Sequence, residues 1–88
     1  MKPLLFFLFL FFNSLYPALT QSNLLETVKK NPNEARNFCN KFREFNSKGI
    51  SASSDKAIEY VSIKEKLTPV NAEIFSIYVI GLHCPDII

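Results

Sequence analysis

Glycine, histidine and cysteine are scarce in this chain of 88 residues, which holds two Gly, one His and two Cys. Two well-separated glycines, Gly49 and Gly81, cannot build the Gly-rich loop that cradles a nucleotide phosphate. One histidine, His83, leaves little for a His-based metal centre, and no Ser can be completed into a His-dependent triad without it. No Asn-x-Ser/Thr sequon occurs, so N-glycosylation has no acceptor. No charge of one sign dominates: ten Lys/Arg face eight Asp/Glu, for a net charge of +2. That balance, with 48% hydrophobic residues, argues against disorder. There is also no second long apolar run after the first twelve residues, so the remainder is expected to be soluble.

What the chain does hold is unevenly spread. Residues 1–22 contain five of the nine Phe and a single charge, Lys2. Met1-Lys2 makes a short positive end, and Leu4 to Phe12 is unbroken apolar sequence. This pattern predicts a secretory signal peptide over residues 1–22, its apolar run of nine being too short to span a bilayer alone. Pro17 breaks any helix ahead of a processing region in which Ala18-Leu19-Thr20 and Thr20-Gln21-Ser22 both offer small residues. The competing reading is an uncleaved membrane anchor over residues 4–20, weakened by Asn13, Ser14 and Pro17. No Cys lies near the boundary, which removes a bacterial lipoprotein anchor. The expected location is therefore exported, periplasmic or secreted, with membrane contact only through the N-terminal segment if it is retained.

Residues 23–88 then form one small domain, too short to enclose much beyond its own core. Both cysteines, Cys39 and Cys84, fall in it. In an oxidising compartment two thiols pair in one way only. The loop so closed would stabilise the fold by about 4 kcal/mol on chain-entropy grounds. A core of this size supplies only a few kcal/mol unaided. A redox-active pair would ordinarily sit two residues apart. An intermolecular bridge and free thiols compete with the internal bridge as well.

Helical signals recur along this domain. Asn23 to Lys30 reads as a short first helix or a frayed turn. Asn31-Pro32-Asn33-Glu34 reads as a cap, a first-turn proline and a capping-box carboxylate. The helix it starts should run to about Lys48, with Ala35, Phe38, Cys39, Phe42 and Phe45 on one face and Arg36, Asn40, Glu44 and Lys48 opposite. Gly49 should end it in a left-handed cap. Ser53 or Ser54 caps a third helix to about Lys66, with Ala57, Ile58 and Val61 inward. Thr68-Pro69 opens a last helix to about Leu82, apolar nearly all round and hence expected to be central and buried. A strand over Ile74 to Ile80 is the rival reading, but no partner strand is evident. Gly81 and Cys84-Pro85 fit its termination. The fold class predicted is all-α: a bundle of three main helices plus a short N-terminal helix.

Cys39, Gly49-Ile50-Ser51, Leu67-Thr68, Ala72, Phe75 and the closing Cys84-Pro85 form an ordered pattern. It resembles a domain of unknown function found in small secreted actinobacterial proteins. Through Asn31-Pro32-Asn33-Glu34-Ala35 and Gly81-Leu82-His83-Cys84-Pro85-Asp86 the chain is also similar to small exported proteins of marine cyanobacteria. The resemblance covers about residues 35–86. It implies an export signal, a helical domain and one disulfide between the two Cys, and it implies no activity. His83 departs from it, standing where a Tyr is expected before the second Cys.

No residue set points to catalysis, to a metal or to a cofactor. His83 is expected to favour the negative end of the last helix rather than to ligate metal. The eight carboxylates are scattered, with no pair spaced for acid–base work. Charge is split, +3 over residues 23–48 and −2 over 49–88. Phe38, Phe42 and Phe45 lie opposite most of the basic charge, where a core needs them, so nucleic acid is not an expected partner. The apolar surplus of Ile74, Ile77, Ile80, Tyr60 and Ile63 is a candidate partner or self-association surface, unless the first helix folds over it through Leu24, Leu25 and Val28. The expected function is a non-enzymatic binding or structural module of the cell envelope. A membrane-tethered accessory subunit is the runner-up, and a thiol-redox protein comes third.

Overall fold

The computed structural model describes residues 23–88; the signal-peptide and anchor readings lie outside the described residues. Four helices and no strand occupy the described residues: α1 (23–30), α2 (Pro32–Ser47), α3 (Asp55–Glu65) and α4 (Pro69–His83). The all-α prediction holds, and the β-forming run from Ile74 to Ile80 is helical. Its Thr-Pro start decides this locally: the Thr68 hydroxyl accepts from Asn71 N at 3.3 Å, and Pro69 needs no donor at the first helical position. Ser54 caps α3 in the same way, accepting from Ala57 N at 3.3 Å.

Helix α2 ends as predicted. Gly49 takes a left-handed φ of +77°, Gly49 N donates to Asn46 O at 3.0 Å, and Ile50 N reaches back to Phe45 O at 2.9 Å. That pair of bonds satisfies the orphaned carbonyls of the last turn. Its start differs from expectation. Asn31 makes no side-chain cap for α2; its Nδ2 donates to Thr27 O at 2.8 Å and closes α1 instead. Only one residue separates the two helices, so a single carboxamide cannot serve both ends. Glu34 does not close a capping box either, but turns toward the end of α3. Helix α4 also runs through Gly81 to His83, with Cys84 N bonding to Ile80 O at 3.0 Å. A glycine without positive φ does not by itself end a helix.

The core follows the helical periodicity of the sequence. Ala35, Phe38, Cys39, Phe42 and Phe45 of α2 are all buried, as are Ala57 and Val61 of α3 and Ala72, Phe75, Ser76 and Val79 of α4. Helix α1 adds Leu24 and Val28, with Val28 set beside Phe75 and Val79. Cys39 and Cys84 form the disulfide, with Cα atoms 6.1 Å apart. Helix α4 is not surrounded: Val70 is 66% and Ile77 60% exposed. Three neighbours cover one side of the helix, and among the described residues no helix covers the other side.

The tail after α4 is tied down at several points. Ile88 N donates to Asn46 Oδ1 at 3.1 Å, while Ser51 Oγ and Ala52 N donate to Ile88 O at 2.9 and 3.2 Å. Arg43 and Asp86 pair at 3.4 Å.

Phe42 sits at 0% exposure in the middle of this core, whereas Ile63 is 70% exposed. Phe42→Ala should cost about 3–5 kcal/mol of stability, with Ile63→Ala within about 0.5 kcal/mol of wild type. Urea denaturation of the oxidised protein measures both.

Candidate functional site

Three regions carry the chemistry that the sequence offers. The first is the disulfide. Periodicity places Cys39 on the inward face of α2, and Cys84 follows the last residue of α4. Both are buried, at 2% and 1% exposure, and no other cysteine exists to attack the bridge. Thiol exchange requires a thiolate to approach a sulfur in line, and neither sulfur is reachable from solvent.

The second region is an aromatic seam between α2 and α3. The Tyr60 ring meets Phe38 and Phe45 edge-on, with centroids 6.1 and 6.0 Å apart, and Phe38 meets Phe75 at 5.5 Å. Lys41 lays its ammonium 5.1 Å from the Tyr60 centroid and 5.2 Å from that of Phe45. It also pairs with Glu44 at 2.9 Å, and this hydrogen-bonded partner raises the Lys41 pKa and lowers that of Glu44. Glu44 also holds Lys48 at 3.9 Å, the i,i+4 pair expected on the solvent face.

Where this seam opens toward the start of α2, a cleft of about 260 Å³ is lined by Glu34, Asn37, Phe38, Tyr60, Lys64 and Glu65. Two of the carboxylates that look scattered along the sequence meet here. Glu34 lies in the first turn of α2 and Glu65 is the last residue of α3. Burial, then the hydrogen bond and the negative charge of Glu34, push the Glu65 carboxyl up to about 7, against a smaller opposing pull from Lys64. Sequence spacing could not reveal this pair, because 31 positions separate its members. The antiparallel course of consecutive helices is the signal that could have found it.

The third region is the apolar surface. Ile77 and Ile80 of α4 line a shallow groove of about 120 Å³ with Ala52, Ser53, Glu73, Ser76 and Ile88. Ile63 is exposed on α3, and Ile74 and Ile80 are partly buried against the core. Tyr60 is engaged with Phe38 and Phe45 in the aromatic seam. Val70, Leu82 and Ile88 are further exposed hydrophobics. Helix α1 does not cover Ile77; it packs over Phe75 and Val79 instead.

His83 closes α4 as its one last-turn base, with Nε2 buried and unpaired among the described residues. Among those residues no three His, Cys, Asp or Glu side chains are grouped to hold a metal ion. None of their helices is long and apolar enough to cross a membrane.

The shielding of both sulfurs sets an expectation. In native protein the Cys39–Cys84 bridge should survive millimolar dithiothreitol and yield two alkylatable thiols only after denaturation. Intact mass before and after alkylation reads this directly, and rapid native reduction would contradict it.

No curated protein matches the chain, and no solved structure matches it. A family described as Domain of unknown function (DUF8664) matches residues 25–84. That span starts inside α1, takes in all of α2, α3 and α4, and ends on the second cysteine of the bridge. With more than half its length matched, and the matched part coinciding with the disulfide-closed helical unit, the chain belongs to the DUF8664 domain family.

Proposed function

We propose that the protein is an exported, non-enzymatic helical module of the cell envelope, periplasmic or secreted, that acts by binding through its uncovered α4 face. The observation that carries this reading is the exposure of Ile77 and Val70 on a helix whose opposite side is core. The two lie two turns apart on the same side of α4, and an exposed apolar patch is a mark of a binding surface. Ile63 on α3 adds to the exposed apolar area. The apolar run Leu4 to Phe12 and a cysteine pair closed inside the domain support export. The resemblance to small secreted actinobacterial and exported cyanobacterial proteins points the same way.

The occupant we favour is another protein surface, with a second copy of this chain the simplest case. Helix α4 carries one carboxylate, Glu73, and no Lys or Arg, so the face is mostly uncharged and two copies would have to hold their Glu73 side chains at its solvated rim. The exposed aliphatic area is small beside a standard interface, so the association should be weak and concentration-dependent.

A tethered accessory subunit, held by residues 4–20, is the second reading, in which Leu15, Tyr16, Ala18 and Leu19 extend the apolar stretch beyond Phe12. Intact mass separates the two: retention of Met1 to Thr20 supports the tether, and their loss supports release.

Sedimentation of the purified protein across a concentration series should show reversible self-association. Ile77→Glu should shift it to monomer while leaving the helical circular dichroism unchanged. A strict monomer that binds no envelope fraction would sink the binding-module reading.

A further inference from the structure

The cleft between α2 and α3 holds the least expected arrangement in the molecule. Two carboxyl groups converge on it from opposite helix ends, and neither is in an ion pair among the described residues. Their positions are not equivalent. Glu34 lies in the first turn of α2, where a negative charge suits the positive end of the helix dipole. Glu65 lies at the last residue of α3, where that dipole opposes a negative charge. The chain leaves this point through Lys66 in a left-handed conformation, so the end of α3 is a sharp, defined corner.

We propose that Glu34 and Glu65 form a proton-dependent latch between α2 and α3. The Glu65 carboxyl donates its proton to the Glu34 carboxylate, and release of that proton to solvent leaves two negative charges facing each other across the cleft. The helix ends then separate and the seam beneath them, floored by Phe38 and Tyr60, opens.

The surroundings leave the pair to settle its own charge. From α3, Lys64 and the Tyr60 phenol line the cleft. Beside Glu34 a small cavity is lined by Thr27 and Val28 of α1, by Asn31, and by Phe75 and Val79 of α4, none of them ionisable. Arg36 of α2 is exposed and does not line the cleft; Lys41 further along α2 is held by Glu44, and Lys30 at the end of α1 by Glu26. Lys64 alone offsets the pair, and it lowers the Glu65 pKa by less than burial and Glu34 raise it.

The sign follows from linkage. Glu65 holds its proton to about 7 in the folded chain, against a usual 4.5. The folded state therefore binds the proton more tightly than the unfolded state. The resulting stability is complete below about 4.5, falls as pH rises, and is gone above about 7. The whole shift corresponds to about 300-fold in the folding constant. Solvent screening at a partly exposed site reduces this to on the order of tenfold.

The test is a pair of titrations on the oxidised protein between pH 5 and 8. In wild type, the folding constant from urea denaturation should drop on the order of tenfold across this range. The 13C resonance of the Glu65 carboxyl should titrate near neutrality, and the Tyr60 and Phe38 ring signals should shift with the same midpoint. Glu65→Gln keeps the donor and removes the charge; it should abolish the pH slope and match or exceed wild type at pH 8. Glu34→Gln should reduce the slope without abolishing it, because burial of Glu65 remains, and serves if the first variant does not fold. An unchanged slope in the variants, or a wild type without one, overturns the latch. A Glu65 titration that leaves both rings unmoved overturns the opening of the seam.

Discussion

The bond between Cys39 and Cys84 sets the terms for everything around it. It joins the middle of α2 to the residue that ends α4, across 45 positions of chain. Helix α3 and both connections lie inside the loop it closes. With the bridge in place, α2 and α4 cannot drift apart, and α3 needs only to lie against a pair already fixed. A domain this small buries too little of its surface to be comfortable on hydrophobic grounds alone. The bridge removes entropy from the unfolded chain, so it adds stability without demanding more apolar residues. The tail uses the same anchor. Beyond Cys84, the Arg43–Asp86 pair and the bonds of Ile88 to Asn46, Ser51 and Ala52 hold the chain against the α2–α3 connection.

Helix α3 packs chiefly against α4, and aromatic packing joins it to α2. Helix α3 contributes only Ala57 and Val61 to the fully buried core. Its adhesion to α2 depends instead on Tyr60, whose ring stands edge-on to Phe38 and Phe45 under the Lys41 ammonium. Edge-to-face contacts add stabilisation beyond buried area, and a cation over the ring adds more where it is partly shielded. The seam is thus strong at its aromatic middle and weak at the carboxylate end.

The elements were legible in the sequence wherever one local rule decided them. Thr68-Pro69, Ser54 and Gly49 each state their part in capping, and each does what its chemistry implies. The inward face of α2 was legible because five apolar residues share one side of one helix. Asn31 misled because two helices compete for it, and the choice depends on a junction one residue long. Helix α4 misled differently. An all-round apolar helix suits the centre of a larger bundle, but here there are too few neighbours to surround it, and Ile77 is left outside. Periodicity tells which side of a helix could be buried; the number of partners decides whether it is.

The Glu34–Glu65 encounter belongs to a class of feature that no linear spacing reveals. In an up-down pair of helices, the first turn of one stands beside the last turn of the next. Residues at those positions meet although the whole length of both helices lies between them. Dipoles at such a junction are opposed, so one member of any like-charged pair is placed well and the other badly. A carboxylate in the badly placed position gives up its charge before its partner does. Burial beside the aromatic seam strengthens that preference by taking water from the ionised form. The asymmetry is a product of topology. Replacing Glu65 with Lys would put a cation at the negative helix end and turn the same junction into an ion pair. The response to protons resides in having an acid at both ends.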